Sequence, residues 1–139
     1  MRELKNFKAQ TLKLSRSKDF KAAYPCPTGK SYRGFQLAGI HFALRLIDSG
    51  SHVLIADPPG VGKTIQAIGI INVLSTMPLE DSKPLNKILI VCPSSALTNW
   101  KKELGDWLVE GENGFFSVGY LDSKNMKKGL KTDIMIASA

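Results

Sequence analysis

Gly60, Gly62, Lys63 and Thr64, within the stretch VLIADPPGVGKTIQAIGII (residues 53–71), are the residues best suited to chemistry. Two glycines let a backbone turn sharply and point its amide N–H groups inward. A helix starting near Gly62 adds the positive end of its dipole, and the two together form a cradle for phosphate oxygens. Lys63 would reach the β- and γ-phosphates of a nucleotide, and the Thr64 hydroxyl would sit on its Mg²⁺. The strict Walker A pattern, G-x-x-x-x-G-K-[ST], also asks for a glycine where this chain has Asp57. Asp57 reads as a group that positions the loop rather than as a base, and Pro58 and Pro59 stiffen the approach by fixing φ.

Such a loop works between a strand and a helix, and the flanking residues supply both. HVLIA (52–56) is a short apolar run leading into Pro and Gly, which predicts a buried strand. Residues 62–75 are apolar nearly all round, which predicts a buried helix. Upstream, Phe35–Ile47 is dense in apolar residues over helical length, and DSG (48–50) ends it. Downstream, KILIVC (87–92) predicts a second continuous apolar strand. In SSALTNWKKELGDWL (94–108), Leu97, Trp100, Leu104, Trp107 and Leu108 fall on one helical face, with Ser94 or Ser95 as the N-cap. FFSVGYL (115–121) and DIMIASA (133–139) predict a third and a fourth strand. MPLEDSKP (77–84) is a polar loop, and YPCPTG (24–29) is a turn that places the start of the ordered body near Tyr32. Strands alternating with helices predict an α/β fold with a parallel sheet.

At 139 residues and 43% apolar, the chain is expected to be one domain with a core. The net charge of +7 lies entirely in residues 1–33, which hold nine Lys and Arg and two acids; residues 34–139 hold ten of each sign. A basic arm before a neutral body fits a polyanion such as nucleic acid, and equally a solvated leader. Cys26 and Cys92 match no metal spacing, which predicts free thiols in a reducing compartment. No secretory signal or membrane-spanning run is present, so the expected location is intracellular. His41 and His52 share no ligand spacing and read as structural. Trp100 and Trp107 read as core, and Lys101 and Lys102 as a solvated face.

IADPPGVGKTIQ resembles the nucleotide-binding motif of Swi/Snf-type ATPases, the translocase branch of superfamily two helicases, whose usual form is A-D-E-M-G-L-G-K-T-I-Q. That family also carries Asp at the position of Asp57. Pro58-Pro59 replaces its Glu-Met, and Val61 its Leu. YRGFQLAGIHFAL (32–44) is similar to the family's L-R-P-Y-Q-x-x-G-V-x-W-L. KILIVCPSSALTNWKKEL (87–104) is similar to L-I-V-C-P-x-S-L-x-x-N-W-x-x-E, and DIMIASA to D-V-V-I-T-T-Y. All four segments stand in the family's order.

The resemblance implies a RecA-like domain over residues 32–139, the N-terminal part of a first motor lobe, with residues 1–31 as a basic arm or linker. It implies ATP and Mg²⁺ as ligands, bound by Arg33, Gln36, Gly60, Val61, Gly62, Lys63 and Thr64. Gln36 would read the adenine edge with its donor and its acceptor. Lys63 and Thr64 would serve catalysis in the parent, and Thr64 would hold the metal. The junction at Ser94 and Ser95 faces nucleic acid in the family, where a helix N-terminus can hold a phosphate. The partner implied is DNA, in duplex form.

The resemblance further implies an acidic D-E-x-H segment after DIMIASA and a second lobe bearing arginine fingers, both outside residues 1–139. The expectation for this chain alone is nucleotide binding without useful turnover, and an incomplete sheet in which HVLIA lacks a neighbour, prone to self-association or weak stability. Two alternatives stand beside it. An AAA+ ATPase such as a clamp loader shares PPGVGKT, but usually has glycine at the position of Asp57 and is not expected to carry CPSSALTNWKKEL. A non-catalytic module would bind nucleotide or DNA, or pair with another chain, and would show Mg-ATP binding with no hydrolysis.

Overall fold

A computed structural model describes residues 24–58, 60, 62–76, 85–110 and 116–138. The first 23 residues, Pro59, Val61, the loop 77–84, residues 111–115 and Ala139 lie outside the described residues, and with them most of the basic arm.

Helix α1 spans Gly34–Asp48. At its start, the Gln36 Oε1 accepts the N–H of Arg33 at 2.9 Å, satisfying a donor the helix cannot pair itself. It stops at the predicted DSG turn: Gly50 takes φ +77°, and the N–H groups of Gly50 and Ser51 return to the carbonyls of Ile47 and Leu46. Helix α2 spans Lys63–Thr76 and packs on α1. The two helices are close at Gly69, where a Cβ would lie 2.4 Å from the Ile40 Cδ1.

Strand β1 (Ile88–Cys92) leads through a 3₁₀ turn (Ser94–Ala96) into α3 (Leu97–Trp107). Strand β2 (Val118–Leu121), the short helix α4 (Met126–Gly129) and strand β3 (Ile134–Ser138) follow. The sheet is parallel in the order β1-β3-β2, with Ile90 and Tyr120 both opposite Ile136. Parallel strands require a crossover, and α4 with its flanking turns carries the chain from β2 to β3.

Two apolar clusters fill the core. One gathers Ile68, Ile90, Cys92, Leu104, Ile134 and Ile136 between the sheet, α2 and α3. The other gathers Tyr32, Leu37, Ile40, Leu44 and Val73 between α1 and α2. Trp107 packs against both, stacked on Tyr32 at 5.7 Å and covered by the Lys30 ammonium at 4.8 Å. The predicted face of α3, Trp100 included, packs on the first cluster. Asn72 joins the halves: its amide donates to Tyr32 Oη and to the Trp107 carbonyl, and its oxygen accepts from Val109 N–H.

Several expectations need correction. HVLIA is not a buried strand. Among the described residues it pairs with no other strand, and Leu54 is 83% exposed. An apolar run becomes a strand only where a partner takes up its N–H and C=O groups, and β1, β3 and β2 lie elsewhere. β1 is buried on one face only: Ile90 and Cys92 face the core, whereas Leu89 and Val91 are 57% and 60% exposed. Neither Ser94 nor Ser95 caps a helix through its side chain. Pro93 precedes the 3₁₀ turn, so α3 proper begins beyond both serines, at Leu97. The packed body begins before Tyr32: Tyr24 and Cys26 lie against the second cluster, and Tyr32 Oη donates to the Pro25 carbonyl at 2.7 Å. His41 meets Tyr24 Oη at 2.6 Å through its Nδ1, whereas His52 lies on the surface. Both cysteines are free. Among the described residues no helix is long and apolar enough to cross a membrane.

Candidate nucleotide-binding site

The loop expected to bind phosphate leaves the extended segment at Asp57 and enters α2 at Lys63. Gly60 and Gly62 take φ of +82° and +79°, values that disfavour a side chain. The Gly62 carbonyl accepts the N–H of Gln66 at 3.1 Å, making Gly62 the last residue before the helix. The unpaired amides of the first turn, with Lys63 and Thr64, therefore cluster at the positive end of α2. Nothing lies within 4 Å of where a Cβ at Gly60 would be, so the outer side of the loop is open.

Lys63 is exposed, and its Nζ donates to the Asp57 carbonyl at 2.9 Å. A carbonyl is a weak partner for an ammonium compared with a phosphate oxygen, so this bond is one that a nucleotide can displace. Gln36 of α1 lies against the same loop: its Nε2 is 2.5 Å from where a Cβ on Gly62 would be. Gln36 is thus buried between Arg33 and Gly62, its oxygen taken by the Arg33 N–H. Arg33 itself is exposed at the start of α1.

Asp57 accepts a hydrogen bond from Gln66 Nε2 on its Oδ2, at 2.9 Å. Gln66 is fully buried in the first turns of α2. Reading the sequence did not single it out; the signal available was a polar residue, like Asn72, within a helix otherwise apolar all round. A cavity of about 410 Å³ lies beside it, lined by Phe35, Phe42, Leu54 and Ile55 among others.

These residues suit a polyphosphate: an open glycine turn, a helix N-terminus and a displaceable lysine converge on one place. Thr64 stands one residue on, half-buried in the first turn of α2. No group of three or more His, Cys, Asp or Glu that could hold a metal occurs among the described residues.

Ser94 and Ser95 are exposed at the C-terminal end of β1, the end from which all parallel strands deliver their loops. Lys102 pairs with Asp106 on the surface at 2.9 Å, and Lys101 lies over the Tyr120 ring at 5.3 Å.

A family model described as the SNF2-related domain matches residues 35–138. The chain belongs to the SNF2-related family. It is 43% identical over 74 residues to Protein CHROMATIN REMODELING 19 of Arabidopsis thaliana, covering 52% of this chain and 9% of that protein. It is 32% identical over 98 residues to human Chromodomain-helicase-DNA-binding protein 1, covering 70% of this chain and 5% of that protein. The chain thus spans less than a tenth of the length of either relative. In fold it is similar to the Sulfolobus solfataricus SWI2/SNF2 ATPase core, solved in complex with dsDNA. The TM-score is 0.61 at 23% identity, over 78% of this chain and 21% of that one. As an SNF2-related domain the chain has a RecA-like α/β fold, and the AAA+ alternative gives way to this family.

Proposed function

We propose that this SNF2-related chain binds Mg-ATP at the loop 57–64 as part of the first motor lobe of a DNA-dependent ATPase. Its parent would use ATP to remodel duplex DNA or move along it. The observation that supports this most is the convergence of Gly60, Gly62 and the displaceable Lys63 at the N-terminus of α2. Lys63 holds the β- and γ-phosphates, and Val61 contributes its amide with the glycines. Gln36 and Arg33 hold the base side, Gln36 turning its carboxamide from Arg33 N–H and Gly62 to the adenine edge. Bound Mg²⁺ would neutralise phosphate charge, and Thr64 is its protein ligand here. Ser94 and Ser95 contact DNA phosphate. The basic arm, most of it in residues 1–23, adds sequence-independent affinity, and the body that packs from Tyr24 onward forms the motor piece. The setting is intracellular. The exposed segment around Leu54, unpaired among the described residues, supports self-association of the isolated chain.

Calorimetry with Mg-ATP tests the nucleotide reading. Lys63→Ala is expected to weaken binding by about 10- to 100-fold, the scale of removing one charged hydrogen bond. Equal affinity in a folded Lys63→Ala protein sinks the proposal. For DNA, removing residues 1–23 is expected to flatten the dependence of log affinity on log salt, by about 0.9 for each phosphate that the arm neutralises. An unchanged slope removes the arm from the interface.

A further inference from the structure

Resting on the reading of 57–64 as a polyphosphate loop, we infer that Asp57, Gln66 and Gly39 form a clasp that sets the loop's shape. Asp57 and Gln66 are its positioning residues. Asp57 holds the loop's far end twice. Its Oδ2 accepts Gln66 Nε2 at 2.9 Å, and its backbone carbonyl accepts Lys63 Nζ at 2.9 Å. The tie to Lys63 spans the loop from Asp57 to the start of α2, and the tie to Gln66 anchors Asp57 to the same helix. When phosphate takes Lys63 away, the side-chain tie to Gln66 is the one left to keep the loop from opening.

The orientation of Gln66 follows from its partner. An ionised carboxylate only accepts hydrogen bonds, so the amide must turn its NH₂ toward Asp57. Its Oε1 then points away, toward α1, and is buried with no hydrogen-bond partner among the described residues. An unpaired buried oxygen is costly and calls for an explanation. Here the explanation is the clasp: the Asp57 bond dictates which end of the amide goes without. Room for that oxygen exists because residue 39 is glycine. A Cβ there would lie 1.9 Å from Oε1 and 2.8 Å from Cδ of Gln66. Gly39 on α1, Gln66 on α2 and Asp57 before the loop thus interlock, and the departure from the strict pattern at Asp57 is the part that grips.

The test uses inorganic triphosphate with Mg²⁺, which probes the loop without the base. Asp57→Gly restores the strict G-x-x-x-x-G-K-T pattern but removes the clasp. It is expected to weaken triphosphate binding about tenfold. Asp57→Asn keeps an acceptor for Gln66 and is expected to bind like the unaltered chain. Gln66→Met preserves volume and removes both the donor and the orphaned oxygen. Its expected result is about tenfold weaker binding with a melting temperature equal to or above that of the unaltered chain, a separation that a merely structural role would not produce. Asp57→Gly or a folded Gln66→Met binding as tightly as the unaltered chain overturns the inference, as does Asp57→Asn losing as much as Asp57→Gly. If the unaltered chain binds no triphosphate and Lys63→Ala changes nothing, the nucleotide reading itself fails and takes the clasp with it.

Discussion

The two halves of this chain are held together by different means. In the sheet half, β1, β3 and β2 pair in register, and Ile90, Ile134 and Ile136 pack beneath α2 and α3. In the loop half, α1 and α2 approach closely at glycines, and polar ties such as Asp57–Gln66 and Asn72–Tyr32 fix what apolar packing leaves open. The segment leading into the glycine turn at Gly60 and Gly62 has no strand partner among the described residues. The sheet is stiff because its central strand, β3, is paired along both sides. A loop that must admit a ligand is drawn from the less constrained part of a molecule, and side-chain ties can hold it without closing it.

That contrast predicts a graded response to substitution. Ile136→Ala, in the central strand, is expected to cost about 3 kcal/mol in urea unfolding, because a fully buried residue leaves a cavity that the paired backbone cannot close. A cost below about 1 kcal/mol would mean that the sheet is not the stable half. Asn72→Ala comes next, at about 2 kcal/mol, since it strands the N–H of Val109 and the carbonyl of Trp107 where the halves meet. Two separate unfolding transitions in this variant would show that Asn72 couples them.

A smaller effect belongs to His41, in the loop half. Burial, and secondarily the Arg45 charge, hold its pKa below the ordinary 6.5. The folded state therefore favours the neutral ring. The stability this contributes is complete above the unfolded value and is lost as pH falls from there through the folded value. The urea midpoint should fall as pH drops below the ordinary 6.5, and His41→Gln should flatten that fall. An identical profile in the variant would remove His41 as the cause.

The smallest effect is expected at Leu54. Leu54→Ser should change stability by no more than about 0.5 kcal/mol, because its side chain is already in water. A large loss would show that the segment is buried in solution, and sedimentation velocity would show whether a second copy buries it.

Most elements were legible in the sequence because their signals are local. The apolar stripe of α3 and the turn at Gly50 need no knowledge of the rest of the chain. HVLIA misled because strand-like composition reports what a segment would do beside a partner, and not whether a partner is there. The serine caps misled because Pro93 starts a three-residue 3₁₀ turn that puts the start of α3 at Leu97. Gln66 and Gly39 were missed because their roles depend on two helices crossing at one point.

The sequence by itself determined the family, the parallel α/β order and the place of the glycine turn proposed to hold phosphate, since these rest on motifs, periodicity and glycines that act within a few residues. Only the tertiary structure decided that Lys63 rests on the Asp57 carbonyl, that Gln36 lies against Gly62, and that Asp57 is gripped by Gln66 across from Gly39. Those pairings join distant stretches of chain, and spacing along a sequence does not encode which buried donor will face which acceptor.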